Sequence, residues 1–195
     1  MISNDRLSAF TDAIAAIAAT IMVLELGVPK TDDWSGLLAQ KNVLMAYIVS
    51  YMMIYFAWYM HHNLFTKAEI ISVKAFLING LWLLFLTLVP FTTAWVGRAG
   101  NTSAPRVLYT LDMLLWALAF HWLEHQVQKD NPEVIWDNSY RFTDKLILYG
   151  GFAVCLLVAL LLHTGVVQLV GLISVIMIVR AWKKAVKEKK NKAAY

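Results

Sequence analysis

Six runs of mostly apolar residues, each closed by polar, Pro or Gly punctuation, constrain this chain more than anything else in it. They fall at residues 7–28, 43–62, 75–97, 107–125, 146–162 and 166–182. Roughly 20 apolar residues is the helix length that crosses the hydrocarbon of a bilayer. The 195 residues are 59% hydrophobic, about 115 side chains, so six such helices absorb nearly all of them. Only 15% of the residues are charged, against about 25% in a soluble domain, which leaves too little polar surface to wrap a water-soluble core of this size. An ordinary globular enzyme is excluded, and no stretch of about 50 residues remains for a second folded domain. The expected architecture is all-α, with a single six-helix transmembrane domain over residues 1–182 and a basic tail over 183–195. Only His163, Thr164 and Gly165 separate the last two runs, and because the stretch is too long for one span a tight hairpin is expected there.

An even number of spans places both termini on one side, and the basic residues say which. With the N-terminus inside, the inner segments hold Arg6, Lys67, Lys74, Lys129, Arg141, Lys145 and the tail residues Arg180, Lys183, Lys184, Lys187, Lys189, Lys190 and Lys192. The outer loops hold only Lys30, Lys41, Arg98 and Arg106. That asymmetry predicts cytoplasmic termini. Trp34, Trp95, Trp136 and Trp182 fall near span ends, as interfacial anchors do. The net charge of +4 and the pI of 9.1 reflect the tail, which reads as a juxtamembrane segment attracted to anionic lipid rather than to nucleic acid. The lone Cys155 excludes an intrachain disulfide. No cleavable leader is expected, since the first apolar run carries Asp12 and lacks a small-residue cleavage site.

The first run, RLSAFTDAIAAIAATIMVLEL, is unusual for a span because it sets Arg6 and Asp12 in or near the membrane, where ionisable groups need partners or water. Its alanines allow close helix approach. At about 100° per residue, Phe10, Ala13, Ile17, Thr20, Ile21, Leu24 and Val28 share one side, a bulky apolar stripe with a single hydroxyl. Such a stripe by itself is ordinarily a packing seam.

Arg6, Phe10-Thr11-Asp12 and the following IAATIMVLEL resemble the first-helix signature of the transmembrane protein 175 family of potassium channels, with Thr11 where the family usually has Ser. Trp58, His61 and Phe65 resemble its W-x-x-H-x-x-x-F pattern, and Asn79 with LFLTLVPF and Pro90 its third-helix pattern. The resemblance covers residues 6–97. It implies a prokaryotic plasma-membrane protein that assembles as a homotetramer, with the first helices around a central pore that lacks a carbonyl filter. It further implies a constriction at Ile17, Ile21 and Leu24, ion selection at Thr20, passive potassium-selective or weakly selective conduction, and no cofactor beyond the permeant ion. Hydrophobic constrictions of this kind gate by dewetting.

Glu25, one residue past Leu24, is placed to form an outer ring of carboxylates. Arg6, Phe10, Thr11, Asp12, Trp58, His61 and Asn79 form a candidate bracing network, in which Thr11 and Asp12 bond to His61 and Asn79 because buried polar groups must be satisfied. Three other patterns compete for function. His121-x-x-Glu124-His125 matches a zinc-hydrolase string but lacks an obvious third ligand. Tyr47, Tyr51, Tyr55 and Tyr59 recur every four residues, a ladder that could line a cation–π pathway or face lipid but is expected to pack with its hydroxyls bonded across helices. Asp112 is expected to pair locally or to face water near the outer end, and the loop 126–145 is the one segment large enough for a cytoplasmic contact. A cation-coupled secondary transporter is the main alternative; such a protein usually carries a broken helix or an internal repeat, and the first run has no Gly or Pro before Gly27 and Pro29.

Overall fold

The computed structural model describes residues 3–100, 102–136, 142–162 and 165–192, without the side chains of residues 142 and 187–192. Arg141, His163, Thr164 and the side chains of Lys187, Lys189, Lys190 and Lys192 therefore lie outside the described residues. The chain is all helical over those residues: α1 (Asn4–Leu24), α2 (Trp34–Ala39), α3 (Lys41–Lys67), α4 (Val73–Gly97), α5 (Ala104–Asp130), α6 (Phe142–Leu161) and α7 (Val166–Lys192).

Local chemistry sets most of these ends. Ser3 and Ser72 cap α1 and α4 by accepting from the backbone N–H groups of Arg6 and Ala75. Leu24 ends α1 ahead of Gly27, whose φ of 66° no β-carbon-bearing residue adopts cheaply, and Pro29 follows. Val28 thus lies beyond the helix, and the stripe expected from the sequence ends at Leu24. The short α2 interrupts a segment expected to be a plain outer loop. Asp33 caps it, and hydrogen bonds from Thr31, Ser35 and the Gly36 N–H hold the Asp33 carboxyl down to about 2. Between α6 and α7 the chain turns at Gly165, φ 86°, so the last two apolar runs are separate helices. Past residue 182 the basic tail does not peel away; it continues α7 to Lys192.

Five helices, α1, α3, α4, α6 and α7, are long and apolar enough to cross a membrane. With α5 of 27 residues, the polar groups are the exception, and Arg106, Asp112 and Glu124 are buried inside the bundle. The core lies along α4 and α5. Trp82, Leu86 and Val89 of α4 and Tyr109, Met113 and Leu123 of α5 are fully enclosed. α1, α3 and α5 surround α4, while α6 packs on α5 and α7, and α7 returns to α3. Between membrane helices the hydrophobic effect gives little net attraction, so close packing and interhelical hydrogen bonds hold them together. Gly97 illustrates the first: a Cβ there would sit 2.8 Å from Val43 Cα, so α3 and α4 meet at a distance only glycine permits. A buried hydroxyl chain illustrates the second. Thr93 Oγ1 donates to Ser50 Oγ at 2.8 Å, and Ser50 shares a 3.0 Å bond with the Tyr109 hydroxyl, tying three helices. Asp112 is buried and accepts from Thr92 Oγ1 at 2.9 Å, so it pairs locally rather than facing water.

Tyr51, Tyr55 and Tyr59 are exposed on the outer face of α3, and among the described residues they are not bonded across helices as their spacing suggested. Trp34, Trp95 and Trp182 are exposed near helix ends, whereas Trp136 is half-buried and donates to the Asn131 carbonyl at 3.1 Å.

Candidate functional site

α1 has two unlike faces. Leu7, Thr11, Ala15, Ala18 and Met22, spaced by three and four residues, are buried against α3 and α4. Ala15 and Ala18 are small enough to let the backbones approach. The opposite face carries Phe10, Ile17, Ile21 and Leu24, which are 59%, 56%, 44% and 77% exposed. Thr20 lies among them, also exposed, and its Oγ1 donates to the Ile17 carbonyl at 2.9 Å. That bond occupies the hydroxyl proton and leaves the oxygen lone pairs as acceptors. Beside this face, α1 and α4 enclose an open apolar groove of about 580 Å3, walled by Ile14, Ile17, Ile21, Pro90, Phe91 and Trp95 among others.

At the Leu24 end of the groove Glu25 is not a free carboxylate. Arg98, at the end of α4, donates from Nη1 to Glu25 Oε2 at 3.1 Å and from Nη2 to the Glu25 carbonyl. The pair joins the ends of α1 and α4 and cancels the charge that an outer carboxylate ring needs.

Polar contacts anchor the buried face. Asn79 donates to Thr11 Oγ1 at 3.1 Å and accepts from His61 Nε2 at 2.9 Å, so one amide links α1, α3 and α4. The His61 ring is stacked between Phe65 and Trp82, with centroids 4.1 and 4.8 Å away. Asp12 bonds to neither His61 nor Asn79; it accepts from Trp58 Nε1 at 2.8 Å, and Trp58 stacks on His62. Arg6 and Phe10 are exposed and stand outside these contacts.

Two asparagines at the bundle end where α1 starts and α5 stops had no counterpart in the sequence reading. Asn4 donates to the carbonyls of Phe65 and Ala68 at 2.9 and 2.8 Å. Asn131 accepts from the N–H groups of Glu69 and Ile70 and donates to the carbonyls of Ile70 and Val127. The turn between α3 and α4 is thus gripped from the start of α1 on one side and from the end of α5 on the other. Asparagine next to a helix end was the available signal, and it is a common one.

The zinc-hydrolase string does not converge. His121 Nδ1 lies 2.9 Å from the Ala117 carbonyl and 2.7 Å from the Tyr149 hydroxyl, Glu124 is buried, and His125 is exposed. Among the described residues no group of three or more His, Cys, Asp or Glu side chains is arranged to hold a metal.

A family model described as the endosomal/lysosomal potassium channel TMEM175 matches residues 6–90, the stretch that builds α1, α3 and most of α4. The crystal structure of a lysosomal potassium-selective channel TMEM175 homolog from Chamaesiphon minutus superposes with a TM-score of 0.72 at 25% identity, covering 91% of this chain and 97% of that one. Over these residues the chain is similar to the TMEM175 family. Among TMEM175 relatives, a protein of Chryseobacterium sp. (strain P1-3) named a potassium channel is 33% identical over 125 residues, which is 64% of this chain and 65% of the relative. The mouse protein named endosomal/lysosomal proton channel TMEM175 is 27% identical over 172 residues, 76% of this chain but 34% of that much longer one. The chain thus aligns with just under two thirds of the Chryseobacterium protein and one third of the mouse TMEM175.

Proposed function

We propose that this chain is the subunit of a homotetrameric, potassium-selective cation channel that conducts passively, with its pore lined by the outward face of α1. One observation carries this reading: the bulky stripe of Ile17, Ile21 and Leu24, with the hydroxyl of Thr20, is turned away from the subunit's own core while Thr11, Ala15, Ala18 and Met22 face inward. In a packing seam within the subunit these side chains would be the buried ones. The likeness to a structure described as a potassium-selective channel adds support.

In this reading four Ile17 side chains form the narrowest ring, closed by dewetting when they meet. A small splay of α1 hydrates the gap, and the Thr20 oxygens, whose protons point to the Ile17 carbonyls and whose lone pairs are free, replace part of the ion's water shell. Thr11, Asn79, His61, Asp12 and Trp58 fix the orientation of α1 rather than touch ions. Glu25 acts as the outer clasp to Arg98. α5, about 40 Å long at its 27 residues, is the sixth crossing, which puts both termini on the basic, cytoplasmic side.

The test is a potassium-gradient flux assay in proteoliposomes, with and without a protonophore. Potassium efflux that sets up a membrane potential, and proton uptake only when the protonophore is added, is the expected result. Proton flux with no potassium movement overturns the potassium assignment, and flux requiring a co-transported ion overturns the channel.

A further inference from the structure

Asp112 lies about 12 Å along α5 from the start of that helix and is 3% exposed, and among the described residues no cation pairs with it. Arg106, the cation in the first turns of α5, directs its guanidinium to the carbonyls of Gly100 and Thr102. The carboxyl instead sits among hydroxyls. Thr92 of α4 lies against its Oδ2, Tyr109 stands one turn back on α5, and Ser50 of α3 pairs with Tyr109. Cys155 of α6 is the other titratable side chain in electrostatic reach of Tyr109, and α4 has no ionisable residue between Lys74 and Arg98. Asp112 Oδ1 and, one turn on, Trp116 Nε1 are buried without a hydrogen-bond partner among the described residues.

The contacts of Thr92 locate a proton. Its Oγ1 lies 2.9 Å from Asp112 Oδ2 and 3.2 Å from the Val89 carbonyl, two acceptors when the carboxyl is ionised, whereas a threonine hydroxyl has one proton to give. Both contacts are full hydrogen bonds when Asp112 Oδ2 carries a proton, donates it to Thr92 Oγ1, and Thr92 donates its own to Val89. The bare Oδ1 agrees with this. A buried carboxylate with one oxygen undonated and no cation beside it is costly, and the carbonyl oxygen of a neutral acid is far less so.

This chain of bonds ends where α4 is weakest. Pro90 has no N–H for the Leu86 carbonyl, so the helix lacks one of its own bonds next to Val89. Pro90, Phe91 and Trp95 also wall the groove beside Ile17 and Ile21. Thr92 therefore braces α4 at the level where another of its faces meets the α1 stripe.

We propose that Asp112 is a proton-binding site whose occupancy sets how firmly α4 is held beside α1. With the proton bound, Asp112, Thr92 and the Val89 carbonyl form one continuous chain. When the proton leaves to water, the Thr92 hydroxyl swings from Val89 to Asp112 Oδ2, and the Trp116 N–H, on the same face of α5, is the donor available to Oδ1. α4 is then released at Pro90, and flux rises as pH rises. The effect on flux rests on the α1 pore proposed above; the proton site does not.

Infrared difference spectra of the full chain in bilayers, taken across a pH series, read the site directly. The expected result is a protonated-carboxyl C=O band that fades as the medium turns alkaline and is missing from Asp112→Asn. Thr92→Val keeps the shape, removes the hydroxyl, and is expected to shift that band. In potassium-loaded proteoliposomes with equal pH on both sides, parent efflux is expected to rise about fivefold from acid to alkaline medium, the effect of one hydrogen bond on a closed–open equilibrium. Asp112→Asn, whose amide donates to Thr92 as the acid does, is expected to stay at the acid level at every pH, and Thr92→Val to lose the pH response. No such band, or a band that survives Asp112→Asn, overturns the proposal. So does parent efflux that ignores pH, or a pH response that persists in both variants. If Asp112→Asn fails to fold, the band shift and the lost response in Thr92→Val decide. A chain that moves no potassium at any pH overturns the channel, and the infrared band alone then upholds or overturns the proton site.

Discussion

Thr20 and Ile17 are one turn apart and joined by a single hydrogen bond, so their roles separate by substitution. Thr20→Val keeps the shape and removes the oxygen. It should shift the reversal potential under bi-ionic conditions toward sodium by about fivefold in permeability ratio, the worth of about 1 kcal/mol for one neutral ligand. Thr20→Ser should leave it in place, and a reversal potential that does not move in the valine variant removes Thr20 from ion selection. Ile17→Asn puts a hydrated amide into the ring and should raise single-channel conductance; unchanged currents would place the bottleneck elsewhere. Arg98→Ala tests the outer clasp. Freed of its partner, Glu25 becomes a bare carboxylate, so cation current should rise at low ionic strength and return to the parent value at high salt, where surface charge is screened. Helical periodicity alone puts Ile17, Thr20, Ile21 and Leu24 on one side, which is why that face was legible in the sequence. The pairing of Glu25 with Arg98 was not, because its members are 73 residues apart and no local rule relates them. The same holds for Asp12 and Trp58, 46 residues apart: the need for a partner was readable, and the choice among Trp58, His61 and Asn79 was not.

Among the elements, the turn between α3 and α4 connects parts that the helices keep apart. Asn4 holds it to the inner end of α1, and Asn131 holds it to the end of α5. A displacement of the segment after α5 therefore reaches α1 through two asparagine side chains and a few backbone groups. Asn131→Ala leaves the N–H groups of Glu69 and Ile70 without their acceptor, a loss of about 1–3 kcal/mol for each polar group left buried. Because those contacts reach α1 only at Asn4, about 20 Å along the helix from the proposed constriction at Ile17, the expected result in planar bilayers is a changed open probability, by roughly tenfold or more, with conductance and reversal potential as in the parent. A shift in reversal potential would show instead that the clamp shapes the pore itself. The six long helices were readable from apolar runs, with ends off by a few residues where Ser3, Ser72 and the turn at Gly27 decide them. α2 was not, since a six-residue helix capped by Asp33 leaves no periodic signal.

Over the whole molecule, the proposed assembly asks each subunit for one wall of a pore. α1 packs on α3 and α4 with one face, and among the described residues Ile17, Ile21 and Leu24 of the other stay exposed. The groove of about 580 Å3 between α1 and α4 leaves that flank uncovered too. Lipid tails can cover such a face, but four copies around an axis cover it and make a conduit, and the two arrangements differ in a measurable way. If α1 lines a shared pore, native mass spectrometry in mild detergent should give a mass of four 22.1 kDa chains, and Leu24→Cys, at the most exposed stripe position within α1, should cross-link between subunits under oxidation and suppress flux until reduced. The single natural cysteine, Cys155, is buried in the bundle and provides the silent background. A chain that conducts at full rate as a monomer, or whose Leu24→Cys variant stays uncross-linked in conducting membranes, puts the stripe against lipid and moves the ion path elsewhere.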